Sequence, residues 1–192
     1  TAFGVSLTAG DFNSDGKVDL AVGATGYSTS KGRVYVYTFG NDPVITGETT
    51  NNYFGYTLVS GDFNSDGRTD LVAGATGYST NTGRVYLFYN DGSIPTAAAT
   101  ADVIMTGEAN NYYFGTSLTS GDFNADGRID LAVGATGYSS FTGRSYLFYN
   151  DGSIPTTAAT ADVIMTGGAT NDYFGRALIS GDFNADGRTD LA

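Results

Sequence analysis

Between residues 53 and 112 the apolar positions gather into four short runs, YFGYTLVSGDF, DLVAGATGY, GRVYLFY and DVIMTG, with glycine and Asx clusters between them. Each run has the length of a strand, and no stretch carries the 3.6-residue period with caps that marks an amphipathic helix. Asn90-Asp91-Gly92 and Asn150-Asp151-Gly152 are hairpin-grade turns. The run RVYLFY decides the layering. In an extended strand Val85, Leu87 and Tyr89 face one way while Tyr86 and Phe88 face the other, so neither face is polar. Such a strand belongs to a sheet covered on both sides.

The pattern repeats. DFNSDGKVD begins at Asp11, DFNSDGRTD at Asp62, DFNADGRID at Asp122 and DFNADGRTD at Asp182, at spacings of 51, 60 and 60 residues. Residues 62–121 and 122–181 differ at 14 of 60 positions. The first unit is nine residues shorter, all of them lost between Arg33 and Gly47, and length variation confined to one connection marks a surface loop. The units are 1–52, 53–112 and 113–172, with 173–192 opening a fourth. Four-stranded units of about 50 residues stacked face to face describe the blades of a β-propeller, and a linear stack of the same sheets satisfies the pattern too.

Composition agrees with an all-β chain: 28 glycines, 14 tyrosines and 12 phenylalanines, and no Cys, His or Trp. Disulfides are excluded, and no apolar run approaches the roughly 20 residues of a membrane helix. The chain opens on Thr1 and closes on TDLA, inside a phrase that earlier copies complete as DLAVGATGY or its variant, so it reads as cut from something longer. The net charge of −11 argues against nucleic acid, whose binders need a basic footprint. The acids are not dispersed: 12 of the 18 aspartates lie in the four repeated loops.

Phe-Gly at 54–55, 114–115 and 174–175, followed by SGDFNxDGxxDLxxGAT, resembles the FG-GAP repeat of integrin α-subunit propellers and their bacterial relatives. Gly-Ala-Thr at 23–25, 74–76 and 134–136 stands where that family usually has Gly-Ala-Pro. The resemblance covers the whole chain and implies β-propeller blades of four antiparallel strands with calcium in the acidic loops. It leaves function open, because the family includes adhesion receptors, lectin-like propellers and domains appended to enzymes. Family propellers usually close with seven blades. About three and a half blades form a partial or open propeller: a fragment, half of a two-chain ring, or part of a filament.

The acidic loop D-x-N-x-D-G-x-x-D places side-chain oxygens at positions 1, 3, 5 and 9, with a glycine at 6 to take the positive φ of a tight turn. A carbonyl from position 7 and a water complete six or seven ligands. The set is then Asp11, Asn13, Asp15, Lys17 and Asp19; Asp62, Asn64, Asp66, Arg68 and Asp70; Asp122, Asn124, Asp126, Arg128 and Asp130; and Asp182, Asn184, Asp186, Arg188 and Asp190. Oxygen alone selects a hard cation, and several carboxylates on a flexible loop favour Ca²⁺ over Mg²⁺. One ion per loop, four in all, is expected. The competing reading is a metal-free Asx-Gly turn. EF-hand and dockerin loops are rejected, because their last acid stands at position 12 between helices.

A second candidate surface lies opposite the acidic loops, where GYSTNTG, GYSSFTG and the turns before Phe-Gly collect Tyr78, Asn81, Asn110, Asn111, Tyr112, Tyr138 and Phe141. Aromatic faces beside amides suit a carbohydrate or protein ligand; otherwise they cap turns and pack between blades. Tyr53, Tyr113 and Tyr173 precede Phe-Gly in each interior copy and read as structural. The connection SIPTAAATA reads as a solvated low-complexity loop or a carrier of O-linked sugar, and no Asn-x-Ser/Thr sequon occurs. Without His or Cys the commonest acid–base and nucleophilic chemistry is missing, so no catalysis is expected. The sequence therefore points to an extracellular or cell-surface calcium-binding module, an adhesion or structural scaffold. The alternatives are a lectin-like propeller or a filament repeat that self-associates, without membrane insertion.

Overall fold

The computed structural model describes residues 2–38 and 40–192, so Thr1 and Phe39 of the short connection lie outside the described residues. Three four-stranded antiparallel meanders follow one another. The first holds β1 (Leu7–Gly10), β2 (Asp19–Ala24), β3 (Arg33–Tyr37) and β4 (Val44–Thr46) in that order. The second holds β5 (Phe54–Gly61), β6 (Asp70–Ala75), β7 (Arg84–Phe88) and β8 (Val103–Thr106), and the third β9 (Phe114–Gly121), β10 (Asp130–Ala135), β11 (Arg144–Phe148) and β12 (Val163–Thr166). β13 (Ser180–Gly181) pairs with β14 (Asp190–Leu191) at the C-terminal end. The four-strand blade expected from the sequence is the unit observed.

The two faces of β7 feed two different layers. Val85 and Leu87 join a cluster with Phe114, Leu131 and Tyr146 of the following sheet, while Tyr86 and Phe88 join Phe54, Val34 and Ile45, the last two from the preceding one. These four side chains of β7 are fully buried. First strands of successive sheets lie side by side, joined by hydroxyls: Ser6 Oγ donates to the Gly55 carbonyl at 2.7 Å, Thr57 Oγ1 to that of Gly115 at 2.8 Å and Ser117 Oγ to that of Gly175 at 2.6 Å. The approach is close enough that a Cβ at Gly74 would stand 2.6 Å from the Gly115 oxygen, which accounts for the glycine of Gly-Ala-Thr.

The long connection is solvated only in part: Ser93, Thr96, Ala99 and Thr100 are exposed. Ile94 and Ala98 are buried, and the Thr96 carbonyl accepts the amide of Thr46, the last residue of β4, at 2.9 Å. In the next unit Ile154 and Ala158 are buried and Thr156 accepts from Thr106 at 3.0 Å. Each nine-residue insertion thus runs beside the outer strand of the preceding sheet and satisfies an amide that an open edge would leave to water. It is a clasp between repeats. No helix among the described residues is long and apolar enough to cross a membrane.

Candidate functional site

The acidic loops join the first and second strands of each unit and share one bonding scheme. Asp11 takes the amides of Asp15 and Gly16 on its two oxygens at 3.0 and 2.8 Å, Asn13 Oδ1 takes Asp15 N at 2.9 Å, and Asp15 Oδ1 takes Lys17 N at 2.9 Å. Asp19, at the start of β2, reaches back to accept Phe12 N at 2.8 Å. The corresponding five bonds recur around Asp62, Asp122 and Asp182. The scheme requires positive φ at the sixth position, where Gly16, Gly67, Gly127 and Gly187 lie between 81° and 88°. It also requires it at the fourth, where Ser14, Ser65, Ala125 and Ala185 stand at 60° or 61°. The sequence pattern signals only the glycine.

Backbone N–H groups thus hold the loop oxygens in place and offset the repulsion of three carboxylates. Among the described residues no three acidic side chains converge into a compact metal cluster. The donor set still suits a hard cation: every side-chain ligand is oxygen, and a carboxylate or amide oxygen bound to one N–H keeps a second lone pair. Burial pushes the carboxyls of Asp70 and Asp130 up, against amide bonds that pull them down, from Asn90 and Phe63 for the first and Asn150 and Phe123 for the second. The seventh-position side chain does something the spacing does not show. Arg68 Nη1 donates to the Asn90 carbonyl at 3.3 Å, tying the acidic loop to the Asn-Asp-Gly turn of its own unit.

Each of the first two loops also belongs to a junction between repeats. Phe12, in the second loop position, packs with Ile94 and Ala98 of the next unit, and Phe63 packs with Leu131, Ile154 and Ala158 of the unit after. The Phe63 carbonyl accepts Asn150 Nδ2 at 2.6 Å across the same junction. Phe63 is 2% exposed, whereas Phe183 in the fourth loop is 56% exposed.

On the opposite face, most of the expected ligand-face residues are already engaged. Asn81 Nδ2 donates to Asn111 Oδ1 at 3.1 Å and Thr82 Oγ1 to Asn110 Oδ1 at 3.0 Å. The Tyr78 and Tyr138 rings lie under Arg84 and Arg144 at 3.6 and 3.5 Å, and Tyr112 meets Tyr138 edge-on at 5.0 Å. Those guanidiniums also pair with Glu48 and Glu108 of the preceding unit at 2.9 and 3.1 Å. Phe141 differs: with Tyr53, Tyr56 and Tyr113 it lines a cavity of about 280 Å³ floored in part by threonines. Tyr53 and Tyr113, structural in the sequence reading, therefore also present surface to a cavity.

The backbone there is unusual. The turn after each second strand carries three consecutive residues at positive φ: Ser28, Thr29 and Ser30, then Ser79, Thr80 and Asn81, then Ser139, Ser140 and Phe141, all between 43° and 63°. Tyr53, Tyr113 and Tyr173 are also left-handed, at 55°, 58° and 53°. Holding an L-residue there costs about 1–2 kcal/mol.

Comparison with known proteins places this repeat. The FG-GAP repeat model matches residues 3–37, 54–88 and 114–148, which cover the first three strands of each full unit. Integrin alpha-PS2 of Drosophila melanogaster is 34% identical over 98% of the chain, phosphatidylinositol-glycan-specific phospholipase D of Rattus norvegicus 34% over 71%, and human integrin alpha-X 38% over 70%. The chain spans only 15%, 18% and 13% of those relatives' lengths. Three matched repeats, each folded as the same antiparallel meander and stacked through the same hydroxyl and glycine contacts, make the chain a member of the FG-GAP repeat family.

Proposed function

We propose that this chain is an extracellular, calcium-stabilised β-propeller module that serves as a non-catalytic adhesion or structural scaffold. The observation that carries the reading is the acidic loop: one oxygen-only donor set, held by one backbone scheme, occurs four times and in two copies is seated at a repeat junction. Side-chain oxygens of Asp11, Asn13, Asp15 and Asp19 and their counterparts would hold the ion, with the carbonyls of Lys17, Arg68, Arg128 and Arg188. Bound calcium supplies positive charge that neutralises each carboxylate cluster. The loop's own amides orient the oxygens, and Phe12 and Phe63 carry the resulting order into the next repeat. Millimolar calcium outside cells matches the affinity range of extracellular modules. The likeness to integrin alpha chains supports the same assignment.

Calorimetric titration of the chelator-stripped chain with CaCl₂ tests it. Four sites are expected, falling to three in Asp66→Asn. Absence of calcium heat at millimolar ion, with an unchanged thermal melt in EDTA, would end the reading. A second reading, carbohydrate binding, is favoured by one observation, the aromatic cavity on the opposite face.

A further inference from the structure

Two cavities on that face, of about 280 and 340 Å³, share Tyr56, Thr116 and Thr136 and so form one trough across the second, third and fourth units. Tyr53, Tyr113 and Phe141 line one lobe; Tyr173 and Arg176 line the other. The Phe141 and Tyr173 rings lie 5.3 Å apart where the lobes meet. We propose that this trough binds a carboxylate-bearing pyranose, its rings against the aromatic faces and its carboxylate on Arg176.

Three observations carry the proposal. First, Phe141, Tyr53 and Tyr173 occupy left-handed backbone, disfavoured for bulky side chains, yet each remains 38 or 39% exposed. Residues held in sparsely populated backbone regions cluster at ligand clamps and active sites. The second unit shows the relaxed solution at the Phe141 position, since Asn81 stands there at the same φ. Second, the lining has the composition of a sugar site. Flat apolar faces suit the C–H face of a pyranose; Thr116 Oγ1, which donates its proton to the Tyr113 carbonyl, can accept from a sugar hydroxyl, and Thr136 Oγ1, 3.4 Å away, stands beside it. Third, the trough carries one charge sign. Arg176 lines it and forms no ion pair among the described residues, no Asp or Glu lines either lobe, and neighbouring Asp172 is turned onto the Ala169 amide at 2.6 Å. The position after Phe-Gly is Val5, Tyr56, Thr116 and Arg176 in successive units, so this chemistry is particular to one stretch of the array.

The proposal rests on the carbohydrate reading, and its test separates the two. Sialyllactose and trigalacturonate are titrated against the calcium-loaded chain by ¹⁵N-resolved NMR, beside lactose and methyl-esterified trigalacturonate as their uncharged counterparts. One acidic saccharide, which identifies the source of the carboxylate, is expected to bind roughly tenfold more tightly than its neutral partner. That margin should vanish in Arg176→Gln. Phe141→Asn should weaken both forms about tenfold while leaving the melting temperature unchanged or higher, because asparagine suits the left-handed backbone. Equal binding of acidic and neutral forms overturns the carboxylate assignment and keeps the carbohydrate reading. Absence of binding by every saccharide overturns both. Tighter binding of an aspartate- and glutamate-rich peptide would assign the trough to protein instead. A lower melting temperature in Phe141→Asn with unchanged affinity would make Phe141 a folding residue.

Discussion

Replacing Phe63 by alanine tests whether the acidic loop is a joint between repeats as well as a turn. The ring is 2% exposed and surrounded by Leu131, Ile154 and Ala158 of the following unit. Removing a phenylalanine from such a site costs about 3–5 kcal/mol, as lost burial plus a cavity the sheets cannot close. For a chain of 192 residues, each kcal/mol lowers the melting temperature by roughly 2–4 °C, so the expected fall is about 6–20 °C. The molecule supplies its own control. Phe183 holds the same loop position with the same bond from its amide to the last aspartate, yet is 56% exposed. Phe183→Ala should therefore stay within about 0.5 kcal/mol of the parent. Thermal melts followed by circular dichroism measure both, and hydrogen exchange shows where the loss falls. Protection should drop across residues 150–161, because the Phe63 carbonyl and ring meet Asn150, Ile154 and Ala158 there. Equal shifts for the two variants, or a fall below about 2 °C for Phe63→Ala, would refute the joint.

Three further outcomes are expected. With calcium at a hundredfold excess over its dissociation constant, each filled site adds about 2.7 kcal/mol; the melt in EDTA should therefore fall by roughly 10 °C or more, and magnesium at equal concentration should not restore it. Gly83→Ala should cost several degrees, since Gly83 has φ of +85° and a Cβ there would run into the Phe114 backbone; an unchanged melt would contradict the close approach. Burial, reinforced by Glu48, pushes the Tyr86 phenol well above its ordinary value, and burial does the same for Tyr146. Unfolded tyrosine ionises near pH 10, so this stabilisation is whole below that pH and drains as pH rises beyond it. Ultraviolet titration should leave these two of the 14 tyrosines protonated until the fold is lost.

The residues that announced the fold are those whose environment follows from local spacing. RVYLFY has apolar side chains on both faces, and no neighbour is needed to see that it must be covered twice. The acidic loop is legible for the same reason, because ligand spacing and the glycine at its sixth position are properties of nine consecutive residues. What escaped was decided by the next repeat. SIPTAAATA has the composition of a solvated loop, and its Ala and Thr residues become a clasp only because the amide of Thr46 stands open on the preceding sheet. The phenylalanine of D-F-N has no part in the ligand spacing and is a joint only where another unit receives it. Tyr113 reads as structural from its recurrence; its left-handed backbone and its place in the trough depend on the turn it meets, through the Asn81 carbonyl at 2.8 Å. One signal could have found the trough from the letters alone. In nearly identical units the structural positions repeat, so the positions that refuse to repeat are where a single junction has been given its own chemistry. Asn81 against Phe141 and Thr116 against Arg176 are two of the 14 differences between the long units, and both line or flank that one surface.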